Sequence, residues 1–363
     1  MPDTRPGIIF NEEGVCSACV HYENRRNIDW EKRYSELEAL CDKYRRDDGY
    51  YDCIVTVSGG KDSHYQIYVM KELMGMNPLL VNVYNFDWTD TGRHNFNNMT
   101  ESFGCDMVSL HLNRKLAKKM IRIAFEEWGS PTWYWDRAVY VWPIKTAIRY
   151  DVPLIVYGEN VSYEYGGFQN EETYSAREQV NNDVAKNIDI EFWESKGIER
   201  RDLNPIIYPS AEEIDEAGLE PMYLSYFIPW IETRNLAIAK KYGFKTLGNE
   251  WDREGFIDDW IQIDAVSYLV HPWLKYPKYG HTVATDVASK LIREGEISRK
   301  EGIKLVKNHD HCLDQKSVEA FLDFTGYTAK GFWTIVDKFY NRDLFKKKNG
   351  RWVLKDPVWE KES

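Results

Sequence analysis

The stretch Asp52–Val57 with the turn behind it, Ser58-Gly59-Gly60-Lys61-Asp62-Ser63, restricts the fold of this chain more than any other. Asp52-Cys53-Ile54-Val55-Thr56-Val57 is short, β-branched and apolar, the pattern of a strand buried on both faces. After the turn, Tyr65, Val69 and Leu73 fall on one side at helical spacing. Ser58–Ser63 therefore read as a strand-to-helix turn. Its glycines let the backbone bend tightly and approach a ligand. Free N–H groups at the helix start, two serine hydroxyls and a lysine together make an anion site, and the ligand class this implies is a phosphate chain.

The same alternation continues. Leu79–Tyr84, Asp106–Leu112 and Pro153–Tyr157 read as further buried strands, and helices are expected from Thr91 to near Gly104, from Leu116 to Trp128, and over Pro143–Tyr150 behind an aromatic stretch, Trp133–Trp142. Strand alternating with helix predicts a parallel sheet with helices on both faces. Open sheets of this kind bind ligands beyond the carboxyl ends of their strands. There the sequence places Ser58–Ser63, Asn85 and Gly158-Glu159-Asn160, which we assign to one nucleotide site, with Glu159 alternatively a helix-capping acid. Glu164-Tyr165-Gly166-Gly167 follows, its paired glycines marking a close backbone approach or a mobile loop. Residues 170–220 read as a charged helical insertion, a lid or a partner surface.

Helices are expected over Trp30–Tyr44 (capped by Asp29), Glu232–Tyr242, Asp258–Leu269 and Asp286–Glu294 (capped by Thr285). Ser298–Glu301 is a capping box, and residues 317–340 make a Phe-rich helix pair. Pro272–His281 reads as a basic-aromatic loop whose Lys275 and Lys278 either meet phosphate or carboxylate or sit on a solvated rim. His309, Asp310, His311 and Cys312 are a metal cluster or a structural one. Three regions result: 1–28, an N-terminal segment; 29–225, the α/β domain; and 226–363, a helical lobe for substrate or partner.

A net charge of −11 argues against a nucleic-acid-wrapping chain, though not against a local basic patch. Met1–Pro6 lack an apolar signal core and no run is long enough to span a membrane, so a soluble, cytoplasmic protein is expected. Six cysteines in 363 residues are no disulfide scaffold. Cys16 and Cys19, followed by His21, allow zinc or redox chemistry, or two plain thiols; no thioredoxin-like unit surrounds them, and zinc needs about four ligands. The fourteen Trp and twenty-four Tyr exceed what a core needs, so some of them should line a pocket for a flat or sugar-like ligand.

The order Ser-Gly-Gly-Lys-Asp-Ser lacks the spacing of the Walker loop. It resembles the pyrophosphate (PP) loop of the ATP pyrophosphatases, HUP-like α/β proteins that cut ATP between its α and β phosphates. With Asn77-Pro78-Leu79-Leu80-Val81, Thr91-Gly92-Arg93-His94-Asn95, Gly158-Glu159-Asn160, Glu164–Gly167, Ala284–Ser289 and Ile292–Arg299, nearly the whole chain resembles the N-acetyl sugar amidotransferases of surface-polysaccharide and nonulosonic-acid biosynthesis. That resemblance implies ATP-dependent conversion of the acetamido group of a nucleotide-activated sugar into an acetamidino group, through an O-adenylated imidate. It implies Lys61, Asp62 and Glu159 as catalytic groups and Mg²⁺ on Asp62 or Glu159. Arg93, Asn160, Glu164, Tyr165, Lys275 and Lys278 are the expected substrate contacts. The resemblance also implies ammonia from a separate glutaminase with a cyclase-like companion; the chain shows no convincing glutaminase triad, so a partner or free ammonium is expected to supply it. In the family a further Cys-x-x-Cys precedes the Met1–Pro6 motif and completes a four-thiolate zinc site; this sequence holds Cys16 and Cys19 of that set. The competing readings are a tRNA-modifying PP-loop enzyme, against which the acidic balance and the core-like Cys53 and Cys105 count, and a non-catalytic nucleotide-binding scaffold.

Overall fold

The computed structural model describes residues 1–166, 173–177, 188–248 and 250–361. Gly167, Asn249 and, of the expected 170–220 insertion, residues 170–172 and 178–187 lie outside the described residues.

Five parallel strands form the sheet: β1 (Cys53–Thr56), β2 (Pro78–Val83), β3 (Met107–Leu110), β4 (Leu154–Tyr157) and β5 (Glu220–Tyr223), in the order β3-β2-β1-β4-β5. β1 is central, with Ile54 opposite Leu79 on one side and Ile155 on the other. Its residues alternate as the pleat requires. Cys53, Val55 and Val57 pack with α2 (Trp30–Tyr44), α3 (Lys61–Ile67) and α4 (Asp90–Phe103), whereas Ile54 joins Leu79, Val81 and Ile155 against α6 (Trp133–Tyr150). Apolar residues thus sit on both faces, so a crossover helix must cover each.

The helix after the turn is α-helical only to Ile67 and continues as a π-helix over Tyr68–Leu73. This wider turn leaves Leu73 exposed at 44%, although α-helical spacing would have buried it beside Val69. Trp133–Trp142 is not a lead-in; one helix runs from Trp133 to Tyr150 through Pro143. α7 (Val161–Tyr165), α8 (Ile190–Ser195) and α9 (Ala211–Glu216) lead to β5, and α10 (Leu224–Phe227) and α11 (Glu232–Lys241) follow it. α11 lies along α3. Ahead of the sheet, α1 (Ser17–Asn24) packs on α7.

The C-terminal region is helical: α12 (Val270–Trp273), α13 (Lys275–Tyr279), α14 (Val283–Glu294), α15 (Arg299–His309), α16 (Gln315–Thr325) and α17 (Ala329–Phe339), then the hairpin β6 (Phe345–Lys348) and β7 (Arg351–Leu354) and α18 (Val358–Lys361). Three expectations change here. Asp258–Val266 is irregular, because the Arg253 guanidinium donates to the carbonyls of Asp258, Ile261 and Gln262 that a helix would use. Pro272–His281 is largely helical in two short pieces. α14 starts at Val283 rather than after Thr285, whose hydroxyl and N–H both go to Asp310. That buried carboxylate also accepts from the N–H and hydroxyl of Thr282, so it is a structural knot, and among the described residues no group of three or more His, Cys, Asp or Glu is placed to hold a metal.

The C-terminal region lies across the carboxyl edge of the sheet. Thr89 donates from its N–H to the Asp264 carbonyl at 3.0 Å and from its hydroxyl to the Ile263 carbonyl at 2.6 Å. Asp87 accepts from the N–H groups of Val266 and Ser267. Glu250 caps α4, its two oxygens accepting from the N–H groups of Asp90 and Thr91 at 2.9 and 2.8 Å. Where the two backbones touch, residue 92 must be glycine: a Cβ there would stand 2.5 Å from Asp264 Cα and 2.6 Å from its carbonyl oxygen. In an open helix a Gly→Ala change stabilises by up to ~1 kcal/mol. We expect Gly92→Ala instead to destabilise by ~1–3 kcal/mol, the usual cost of overpacking, read as a lower urea midpoint.

Candidate active site

The turn after β1 is the strand-to-helix turn that the sequence predicts. Gly59 takes φ +104°, a conformation open chiefly to glycine. Ser63 Oγ accepts from the Ser58 N–H at 2.9 Å and closes the loop. On Gly60 a Cβ would meet nothing nearer than Ser58 Oγ at 3.5 Å, so room remains above the loop for a ligand. Behind it His64 donates from Nδ1 to the Gly60 carbonyl at 2.9 Å and accepts at Nε2 from Asn98 at 3.2 Å. Burial drives its pKa down to about 4, so the imidazole is neutral and fixed in one tautomer. The first-turn N–H groups of α3 have no acceptor within their helix and so are available to an anion.

Lys61 does not project into solvent. Its ammonium, 3% exposed, lies 2.5 Å from Asp62 Oδ2 and 2.6 Å from Glu232 Oε2. The other oxygen of Glu232 lies 2.5 Å from Lys290 Nζ, which also reaches Glu159 Oε2 at 3.0 Å. A continuous chain of charge, Asp62–Lys61–Glu232–Lys290–Glu159, buried at its three central members, therefore joins the loop to the end of β4 by way of α11 and α14. Burial alone would raise the Glu232 carboxyl, but Lys290 and Lys61 on its two oxygens hold it well below the usual range. Burial would lower both lysines, but the carboxylates between them hold them charged. Glu159 sits at the end of the chain with one cation. Burial wins there, with Asp62 and Glu164 adding to it against Lys290, and its carboxyl rises to about 7.

Around this chain, Asn160 N–H donates to Ser225 Oγ at 3.1 Å, and Ser225 N–H to the Gly158 carbonyl at 3.0 Å, so α10 holds the end of β4. Glu164 is ion-paired with Arg25, and its carbonyl accepts from Arg293 at 3.0 Å. The Tyr165 ring lies under Lys290 at 4.4 Å and Arg5 at 4.9 Å. Arg5 pairs with Asp286 at 2.6 Å, and Lys275 with the same carboxylate at 3.2 Å. Asn85, one strand over, donates to Asp264 at 2.9 Å. The structure does not bring every expected residue into this group. Arg93 turns to the Tyr84 phenol at 3.2 Å. Lys278 donates to the Gly129 carbonyl at 2.7 Å, and burial lowers it to about 8.

Cys16 and Cys19 adjoin at the start of α1, their thiols sharing a hydrogen bond that lowers Cys16 and raises Cys19. The described residues supply these two thiols and no third ligand, half of a tetrahedral zinc set. Cys53 and Cys105 are buried, and burial raises both thiols, so neither offers a thiolate to the loop.

Glu232 and Lys290 escape the sequence reading. The available signal is Lys290 on the buried face of α14, in line with Val283 and Val287: a cation on an apolar stripe needs a buried partner. For Mg²⁺ the donor set suits a phosphate-bridged ion better than a protein cage. Asp62 keeps 34% of its side chain accessible beside the loop, and such ions take one or two carboxylates plus phosphate oxygens.

Among known proteins, residues 250–357 match the family model described as LPS biosynthesis protein WbpG-like, C-terminal domain. The region so matched is the one lying across the carboxyl edge and supplying Lys290. The uncharacterized protein MJ1599 of Methanocaldococcus jannaschii is 28% identical over a stretch that is 26% of this chain and 42% of that protein, so the chain spans less than half of this curated relative. A solved structure, the U34-tRNA thiolase NcsA from Methanococcus maripaludis with its [4Fe–4S] cluster, aligns over 83% of this chain and 87% of its own at 11% identity and a TM-score of 0.34. The C-terminal region is thus similar to that of an LPS biosynthesis protein, and it is joined in this chain to the strand–turn–helix that carries Ser58–Ser63. Among the described residues no helix is long and apolar enough to cross a membrane.

The raised Glu159 carboxyl sets a stability prediction. Its folded pKa, about 7, lies above the unfolded 4.5, so the folded state holds the extra proton between these values and stability falls as pH rises through that window. Glutamine mimics the protonated form. We expect Glu159→Gln to match wild type near pH 4.5 and to gain progressively toward pH 7, by up to ~3 kcal/mol. Urea denaturation of both proteins across this range measures the difference.

Proposed function

We propose that this chain is an ATP-dependent amidotransferase that converts the acetamido group of a nucleotide-activated sugar into an acetamidino group, in the assembly of a surface polysaccharide. The observation that carries the reading is the buried charge chain, which couples a pyrophosphate-type loop to a region like the C-terminal domain of an LPS biosynthesis protein.

In this reading the amide oxygen of the sugar attacks the α-phosphorus of ATP, the bond to the bridging oxygen breaks, and pyrophosphate leaves as an O-adenylated imidate forms. Ammonia adds at the imidate carbon, and AMP departs with the former amide oxygen. An amide oxygen is a poor leaving group, so it is adenylated first. Charge grows on the departing pyrophosphate, where the α3 N–H groups, Ser58, Ser63 and Lys61 stand preorganised. Asp62 would hold Mg²⁺, which when bound neutralises charge across the phosphates. Glu159, titrating near neutrality, would take the proton that the incoming nitrogen sheds. Ammonia would come from a partner glutaminase with its cyclase-like companion, or from free ammonium. Zinc on Cys16 and Cys19 would need ligands beyond the described residues.

The protein incubated with ATP, ammonium and a panel of nucleotide-linked N-acetyl sugars should yield AMP and pyrophosphate only when all three are present. The sugar product should lose about one mass unit, O being exchanged for NH, and gain a basic group comparable in charge to a guanidinium. Lys61→Ala should lower AMP formation by about 100-fold or more. AMP release that ignores the sugar, or no AMP with any of them, contradicts the proposal.

A further inference from the structure

Next to Glu159 stands a row of partly accessible side chains that the reaction above does not use. Its members come from α6 (Asp136 and Tyr140, one turn apart), α7 (Tyr165) and the C-terminal region (Tyr268 and His271). His271 Nε2 stands 3.7 Å from Asp136 Oδ2, and its ring 5.8 Å from that of Tyr268. Tyr140 lies within electrostatic reach of both Asp136 and Glu159, and Tyr268 of Asp136 and Tyr140, so the groups form one row ending at Glu159. The side chains keep accessible surface (18% on Asp136, 24% on His271, 26% on Glu159), while burial dominates the pKa of each. Groups enclosed on most sides yet still accessible line a crevice rather than a core.

The chemistry of this row is specific. Among the described residues the hydroxyls of Tyr140, Tyr165 and Tyr268 and the Nδ1 of His271 have no hydrogen-bond partner. Asp136 takes one bond, from the Thr132 hydroxyl. Burial raises Asp136 to about 7 and lowers His271 to about 3, so near neutral pH the imidazole is uncharged and the carboxyl half so. The cations beside the row are already paired: Lys275 and Arg5 with Asp286, and Lys290, over the Tyr165 ring, with Glu232 and Glu159. Aromatic faces carrying unpaired neutral donors and acceptors suit a polyhydroxylated ring with apolar C–H faces; they give a phosphate nothing to pair with.

We propose that the crevice formed by Asp136, Tyr140, Tyr165, Tyr268 and His271 binds the sugar ring of the acceptor, with Asp136 and His271 on ring hydroxyls and the acetamido group turned toward Glu159 and the loop. This rests on the amidotransferase reading, because it takes the second substrate to be an N-acetyl sugar. It makes Tyr140 the residue that registers the ring between the two carboxyls.

Saturation-transfer difference NMR on the full chain tests it, with UDP-N-acetylglucosamine and UDP-N-acetylgalactosamine as probes. The ring and acetamido methyl protons should receive saturation. Tyr140→Phe and Tyr268→Phe, which remove one hydroxyl each, and Asp136→Asn should weaken probe binding at least fivefold while ATP affinity stays within twofold. Probe affinity within twofold of wild type in the hydroxyl-deleted variants overturns the proposal, and so does the absence of transfer from both probes. AMP formation is measured separately, so failure of the crevice and failure of the amidotransferase reading are distinguishable.

Discussion

Glu232 between Lys61 and Lys290 is the interaction on which the rest of the structure depends. Each ion buried here carries a desolvation penalty of several kcal/mol, offset only if partners meet it at close range. The partners come from a loop, from α11, from α14 and from the end of β4, so their geometry is over-determined. Removing Glu232 would leave two buried lysines without the carboxylate they share, and breaking a buried pair in this way typically costs ~3–5 kcal/mol. The chain therefore acts as a locking device, fixing the C-terminal region on the sheet in one position while holding the loop lysine in place without a ligand.

The arrangement divides labour along the carboxyl edge. The loop end offers N–H and hydroxyl donors around one buried cation, Lys61, held by Asp62 and Glu232. At the β4 end a single cation and an enclosed setting leave the Glu159 carboxyl with a pKa of about 7, in the range that general acid–base chemistry uses. Beyond Glu159 the wall is aromatic and nearly uncharged. A gradient from charged to neutral along one crevice is what two unlike substrates, a polyphosphate and a sugar, would need in order to meet at an amide.

Much of this is legible in the sequence. Four of the five strands are, because β-branched runs between turn signals have few alternatives, and the loop follows from the strand before it. The fifth strand, Glu220–Tyr223, is hidden: it is four residues long and contains Pro221, tolerated because β5 is an edge. Pro143 reads as a helix start, its favoured place, yet lies ten residues into α6. Asp258–Val266 has helical spacing, but Arg253 takes its carbonyls, and no local pattern announces that. In the site, Glu159 is legible from its place after a strand, whereas its partnership with Lys290 spans 131 residues of sequence and exists only once α14 is laid across the edge.

The most direct test of the account follows one oxygen atom. An acceptor sugar nucleotide labelled with ¹⁸O in its acetamido carbonyl, turned over with ATP and ammonium, should give AMP carrying one ¹⁸O and unlabelled pyrophosphate, read by mass spectrometry. Label in AMP means that the amide oxygen attacked the α-phosphorus beside the Lys61 loop. AMP without label, from a reaction that still consumes the sugar, contradicts activation of the amide by adenylation and with it the role assigned to this site.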